Sequence, residues 1–248
     1  MSGDRHTYTL AAAGLSFAYA RRDSARVIDD LTWSLAPNCK TLLLGNNGAG
    51  KSTLLKLLCG YINPRSGTVT VNGNSSRRAL RNTVGWMPQD IRPAPGMTCQ
   101  QQLEYAGWVG GVPRRVARSK ASTLLDQVGL IKEAGQRADR ISGGQLRRLG
   151  LAQACMRPSQ ALLLDEPTAG LDPAQSQRFH EVLEDLELPG GVLISSHQIS
   201  DLAEDVDRIA VLNRGRIVFD ATVDEFRDLA TAEESLAQIF LNLVGDST

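Results

Sequence analysis

The stretch from Gly45 to Thr53, GNNGAGKST, restricts the fold of this chain more than any other feature. It fits the spacing G-x-x-x-x-G-K-[S/T], and it lies in the context that spacing needs. Before it, TLLLG (Thr41 to Gly45) is a short continuous apolar run, as expected of a strand buried on both faces. After it, KSTLLKLLCG reads as a helix. A glycine-rich turn between such a strand and helix aims successive backbone N–H groups at one point, and the helix N-terminus adds partial positive charge there. Gly45, Gly48 and Gly50 let the backbone turn tightly. Lys51 then has the reach for β and γ phosphates, and the Ser52 hydroxyl suits Mg²⁺. The residues expected around a nucleotide's phosphates are Gly45, Asn46, Asn47, Gly48, Ala49, Gly50, Lys51, Ser52 and Thr53. A glycine-rich turn with a chance lysine would explain neither flank.

Other segments extend the pattern. LSFAY alternates, with Leu15, Phe17 and Tyr19 on one face, and GTVTVNG (Gly67 to Gly73) reads as a strand between glycines. ALLLDEP (Ala161 to Pro167), VLISSH (Val192 to His197) and RIAVLN (Arg208 to Asn213) are further strands, with helices between them. One of these helices has Asp172 as N-cap and Pro173 in its first turn, and Phe179, Val182, Leu183 and Leu186 form its core stripe. Strands alternating with helices imply a mostly parallel sheet covered on both sides. The breaker-rich RPAPG (Arg92 to Gly96) marks a change of texture. Helical stretches follow at about Gln100 to Trp108 and Arg115 to Val128, so the region from about 91 to 160 is expected to be an inserted helical lobe.

Two elements add chemistry. LLLDEP ends an apolar strand on two carboxylates, where ligands sit in open α/β sheets. Asp165 is expected to hold Mg²⁺. Glu166, placed on the opposite side by strand alternation, is expected to polarise an attacking water as general base. An exposed acidic turn before Pro167 is the bland reading, and the phosphate loop outweighs it. DRISGGQLRRL (Asp139 to Leu149) then raises the question of a second anion site. Ser142 with Gly143 and Gly144 opens a helix, and the Ser142 side chain can either cap that helix or turn outward.

A phosphate loop, S-G-G-Q opening a helix, an apolar strand ending in D-E and LISSH with its histidine, in that order, resemble the nucleotide-binding subunits of ABC transporters over about Tyr8 to Val244. The resemblance implies an α/β P-loop NTPase: a mostly parallel central sheet, an N-terminal antiparallel β region and an inserted helical subdomain. It implies one domain over 1–248, with 1–90 and 161–248 as core and about 91–160 as the helical part. It further implies ATP and Mg²⁺, with Gln89 as the glutamine that senses Mg²⁺ and γ-phosphate near the membrane partner's docking site. Mg²⁺ is then held by Ser52, Gln89 and Asp165. Ser142, Gly143, Gly144 and Gln145 become the signature motif, which takes the phosphate of the ATP bound to the other subunit. Asp172 becomes the D-loop aspartate, and His197 the switch histidine on the γ-phosphate. Tyr19 is implied to stack on adenine, against a bland reading as core. Catalysis is expected to rest on Glu166, His197, Lys51 and Gln89. Departures from the family pattern at Cys39, Asn46 and Ile141 remove no catalytic group. His6 and His180 read as structural, His180 as exposed.

Composition narrows the partners. Lys+Arg and Asp+Glu are each 27, a net charge of +0, which argues against a dedicated nucleic-acid binder. The four cysteines are scattered without metal-ligand spacing. There is no secretory leader at the start and no apolar run of roughly 20 residues, so the expectation is a chain on the cytoplasmic face of the membrane, attached through a transmembrane permease subunit. A second ATP-binding subunit, an identical copy, completes the assembly. QQLEYAGWVGGVP (Gln101 to Pro113) and SLAQIFLNLVGD (Ser235 to Asp246) look like those of bacterial drug and antibiotic exporters. In the latter, Leu236, Ile239, Phe240 and Leu243 form a stripe read as a helix packed on its own domain. Soluble ABC ATPases acting on nucleic acid carry long coiled coils or zinc modules, neither of which is present, and a small-molecule kinase would leave ISGGQ and His197 unexplained.

Overall fold

The computed structural model describes residues 8–19, 26–184, 188–198, 206–229 and 235–245. In chain order they form β1 (Leu10–Phe17), β2 (Ile28–Leu35), β3 (Lys40–Leu44), α1 (Lys51–Leu58), β4 (Ser66–Val71), α2 (Arg77–Thr83) and β5 (Val84–Met87). Helices α3 (Cys99–Val109), α4 (Arg114–Gln127) and α5 (Gly143–Ala154) follow, with two short 3-10 turns, Ile131–Glu133 and Ala138–Arg140, between the last two. Then come β6 (Ala161–Asp165), α6 (Pro173–Glu184), β7 (Val192–Ser196), β8 (Arg208–Asn213), β9 (Arg216–Thr222), α7 (Val223–Arg227) and α8 (Leu236–Gly245).

The apolar strands make the central layer. β5-β6-β7-β3-β8 run parallel, and β9 closes the edge antiparallel to β8. Because side chains alternate across a strand, each continuous apolar run feeds two cores at once. Leu43, Leu163 and Leu193 face one cluster with α1 and the three-stranded antiparallel sheet β2-β1-β4. Leu42, Leu44, Leu162, Leu164 and Ile194 face the other, with Phe179 and Leu183 of α6 and with Ile239 and Phe240 of α8. The terminal helix thus packs on its own domain; Leu236 and Leu243 are partly buried beside it. Asp246 lies outside the described residues, as do His6 and Leu186.

The helices between β5 and β6 bury a third cluster of their own, with Leu103 of α3, Leu125 of α4 and Leu149 of α5. Tyr19 is not a core residue, and His180 is less exposed than the sequence suggests. β1 stops at Phe17, after bulges in its pairing with β2, so Tyr19 stands beyond the strand and is 62% exposed rather than in the core. His180 is half-buried rather than exposed, because it follows Phe179 on the packed side of α6. All four cysteines are free. Among the described residues no helix is long and apolar enough to cross a membrane.

Candidate nucleotide site

The site forms along the C-terminal ends of four neighbouring parallel strands, where an open α/β sheet leaves its crevice. The phosphate loop follows β3, Gln89 follows β5, Glu166 follows β6 and His197 follows β7. The loop folds as its glycines require. Gly48 and Gly50 adopt left-handed backbone with φ 85° and 109°, and a Cβ on Gly50 would lie 2.7 Å from the Val27 carbonyl oxygen. Gly50 supplies no side-chain cap to α1, so the first-turn N–H groups of that helix are left to an anionic ligand.

Lys51 is 5% exposed. Its ammonium donates to the Gly45 carbonyl at 2.7 Å and to that of Asn46 at 3.5 Å, and lies 3.3 Å from Oε1 of Glu166. Glu166 gathers three groups. Gln89 donates from Nε2 to Oε2 at 3.4 Å, and Nδ1 of His197 stands 3.2 Å from the same oxygen, off the line of a hydrogen bond. Strand alternation is not what turns Glu166 this way. β6 ends at Asp165, and Glu166 sits in left-handed backbone at φ 45°, a conformation that costs a non-glycine residue and is held by its surroundings.

Asp165 faces elsewhere. Its Oδ1 accepts from Ser52 Oγ at 2.9 Å and from Ser195 Oγ at 3.0 Å. Burial pushes its carboxyl above the usual range, while the bonds from Ser52 and Ser195 pull it back. Ser52 and Asp165 are hard oxygen donors within one hydrogen bond of each other, which fits Mg²⁺. The Gln89 amide nitrogen is engaged with Glu166.

Ser195 escapes the sequence reading. Its fully buried hydroxyl also accepts from the Glu166 backbone N–H at 3.0 Å, so it ties the backbone of Glu166 to the side chain of Asp165. The available signal was two serines ending a buried apolar strand, since buried hydroxyls need partners.

The other expected residues fall as follows. The Tyr19 hydroxyl is 3.0 Å from Thr53 Oγ1, and its ring meets Phe17 edge-on at 5.0 Å, so it stands at the rim of the loop. Asn46, Asn47 and Gly48 are exposed, and Ala49 and Thr53 are buried. Asp172 caps α6 by accepting from Gln175 N at 2.8 Å. Of the two possibilities for Ser142, the structure shows the cap. Its Oγ accepts from Gln145 N at 3.2 Å, and Gln145 Oε1 accepts from Ser142 N at 2.9 Å. That leaves the exposed Ser142 hydroxyl proton, with the backbone of Gly143 and Gly144, at the positive end of a twelve-residue helix. Gln145 Nε2 is occupied by Glu133 at 3.2 Å.

Comparison with known proteins places the chain in a family. Residues 28–169, more than half of the chain, match the ABC transporter family. The chain is 35% identical over 211 residues to the phosphonates import ATP-binding protein PhnC 1 of Ruegeria sp. (strain TM1040), covering 78% of this chain and 82% of the relative. It is 30% identical over 213 residues to the linearmycin resistance ATP-binding protein LnrL of Bacillus subtilis (strain 168), covering 84% and 68%. In fold it is similar to the dimeric structure of MJ0796, a bacterial ABC transporter cassette, with a TM-score of 0.77 at 20% identity over 86% of this chain and 98% of that one. The protein therefore belongs to the ATP-binding proteins of the ABC transporters, ATPases that use ATP with Mg²⁺.

Proposed function

We propose that the chain is the motor subunit of an exporter, a head-to-tail pair of identical copies on the cytoplasmic face of the membrane beneath a separate transmembrane permease. The observation that carries the hydrolytic part is the convergence of Lys51, Gln89 and His197 on the one carboxylate of Glu166. In this reading Lys51 exchanges Glu166 for the β and γ phosphates, and Tyr19 stacks on adenine. Glu166 takes a proton from water as the water oxygen attacks the γ-phosphorus, and the bond to the β-phosphate oxygen breaks to release ADP. His197 and Lys51 stabilise the charge that spreads over the γ-phosphoryl oxygens. Ser52 and Asp165 would hold Mg²⁺, with Gln89 as a further ligand, and the cation supplies charge neutralisation on the phosphates.

The signature residues Ser142, Gly143, Gly144 and Gln145 take the nucleotide of the partner copy, with Asp172 beside the interface. Helices over about 91–160 act as a lobe that docks the permease. A cleft of about 390 Å³ beside Gln89 suits that role, lined by Trp86, Ile91, Arg92, Tyr105, Val109 and Arg157. Trp108, 65% exposed, meets the Tyr105 ring nearby at a tilt, with centroids 5.9 Å apart. Export rather than import is favoured by the Gln101–Pro113 segment and by α8, and a resistance protein stands among the relatives. The test is Glu166→Gln. Steady-state hydrolysis should fall by about a thousandfold or more while ATP still binds. Hydrolysis at the unaltered rate would remove Glu166 from the role of base.

A further inference from the structure

Three residues of α5, spaced three apart and so along one face, meet α6 and the segments that follow β5 and β6. At Gly144 an added Cβ would come 2.6 Å from Oε1 of Gln175 in α6. At Gly150 it would come 2.2 Å from Cδ1 of Ile91, so the residues just after Gln89 are packed directly onto the helix backbone. Between them, the guanidinium of Arg147 donates from Nη1 to the carbonyl oxygen of Gln89 and from Nη2 to that of Ala169 at 3.3 Å.

Those two carbonyls flank Glu166. Gln89 reaches Oε2 of Glu166 with its own side chain. Ala169 belongs to the turn that leaves Glu166, and its N–H returns to the Glu166 carbonyl at 3.3 Å. A planar guanidinium serves two separate carbonyls with fixed donors, whereas a lysine would offer one point charge on a flexible stem. Arg147 is half-buried, and desolvation lowers its pKa against the opposing pull of Asp90, Glu166 and Asp165. Neither carbonyl partner is a charged group, so the pairing is one of geometry rather than of ion pairing.

We infer that Arg147 is a positioning residue for hydrolysis, coupling the tilt of the helix opened by Ser142 to Gln89 and to the turn after Glu166. The inference rests on the reading of Glu166 as base and of Ser142 as the contact to the partner's nucleotide. A movement imposed on the Ser142 end of α5 then reaches the catalytic carboxylate from both of its sides at once. Arg147 itself touches neither nucleotide nor water in this account.

The experiment uses the full chain with Arg147→Met, Arg147→Lys and, in parallel, Glu166→Gln. Fluorescent ATP binding without Mg²⁺ is measured beside kcat, KM and the thermal midpoint. Arg147→Met should bind ATP within about twofold of the unaltered chain and keep KM within about threefold, while kcat falls about 10- to 100-fold, the cost of a misplaced catalytic group. Arg147→Lys should lower kcat by more than about twofold but by less than Arg147→Met does. It also decides the matter if the Met variant does not fold, because its kcat must drop with binding and KM retained. A merely structural role would lower midpoint, binding and kcat together, and that result overturns the proposal. If Glu166→Gln is inactive while either Arg147 variant keeps kcat within about twofold, the Arg147 proposal fails and the Glu166 reading stands. If Glu166→Gln hydrolyses normally, the reading beneath both has failed.

Discussion

Asp165 is 1% exposed, and two hydroxyl donors share one of its oxygens. Burial dominates, so its folded-state pKa stands above the unfolded value. The folded state therefore binds the proton more tightly, and the stability of the nucleotide-free chain falls as pH rises from the ordinary carboxylate range through the folded pKa. Asp165→Asn keeps an oxygen acceptor and removes the buried charge. Its thermal midpoint without nucleotide should exceed that of the unaltered chain at neutral pH, and the gap should close as pH is lowered; an equal or lower midpoint at neutral pH would count against this account. At this scale much of the site is legible in sequence, because Lys51, Ser52, Asp165, Glu166 and His197 are each fixed by distance from a strand end. Ser195 and Arg147 are not. Arg147 stands in LRRL as one of two arginines on a helix, and its partners are backbone carbonyls 58 and 22 residues away, which leave no mark on side-chain pattern.

Among the elements, the two helices proposed to meet phosphate begin differently. α1 has a glycine at its N-cap and no side-chain acceptor, while α5 closes its N-terminus with a capping box and still presents a hydroxyl proton. The first suits a ligand that is surrounded, the second a ligand that arrives from outside. The terminal helix α8 contributes differently again, burying Ile239 and Phe240 against the core beneath β8. Phe240→Ala should destabilise the chain by about 3 kcal/mol, a typical cost of emptying a buried aromatic site, read as a shift in denaturant midpoint with ATP affinity retained. No loss of stability would mean that the helix is merely laid on the surface. Long apolar runs such as Leu42–Leu44 and Leu162–Leu164 were readable as strands because both faces are buried. β5 has four residues, one of them glycine, too short a run for period to show. β9 is half-exposed along its length as an edge strand, and its continuous apolar run is only Ile217–Phe219. β2 did carry a signal, since Leu31, Trp33 and Leu35 alternate inward.

Over the whole molecule, one chain presents two helix N-termini on different elements, and the order β5-β6-β7-β3 gathers Gln89, Glu166, His197 and Lys51 at the C-terminal ends of neighbouring strands. Strand order could not be read from the chain, because neighbours such as β3 and β7 are separated by most of its length. The positions of Gln89 and His197 beside Glu166 emerge only once that order is known. The proposed function then treats the phosphate loop of one copy and the Ser142 helix of another as halves of a single site. The most direct test is the mass of Glu166→Gln in solution, followed by light scattering with and without ATP. The account predicts a monomer that doubles its mass with ATP, and a Glu166→Gln, Ser142→Arg double variant that binds ATP and stays monomeric. A double variant that dimerises with ATP as readily as Glu166→Gln alone would contradict it.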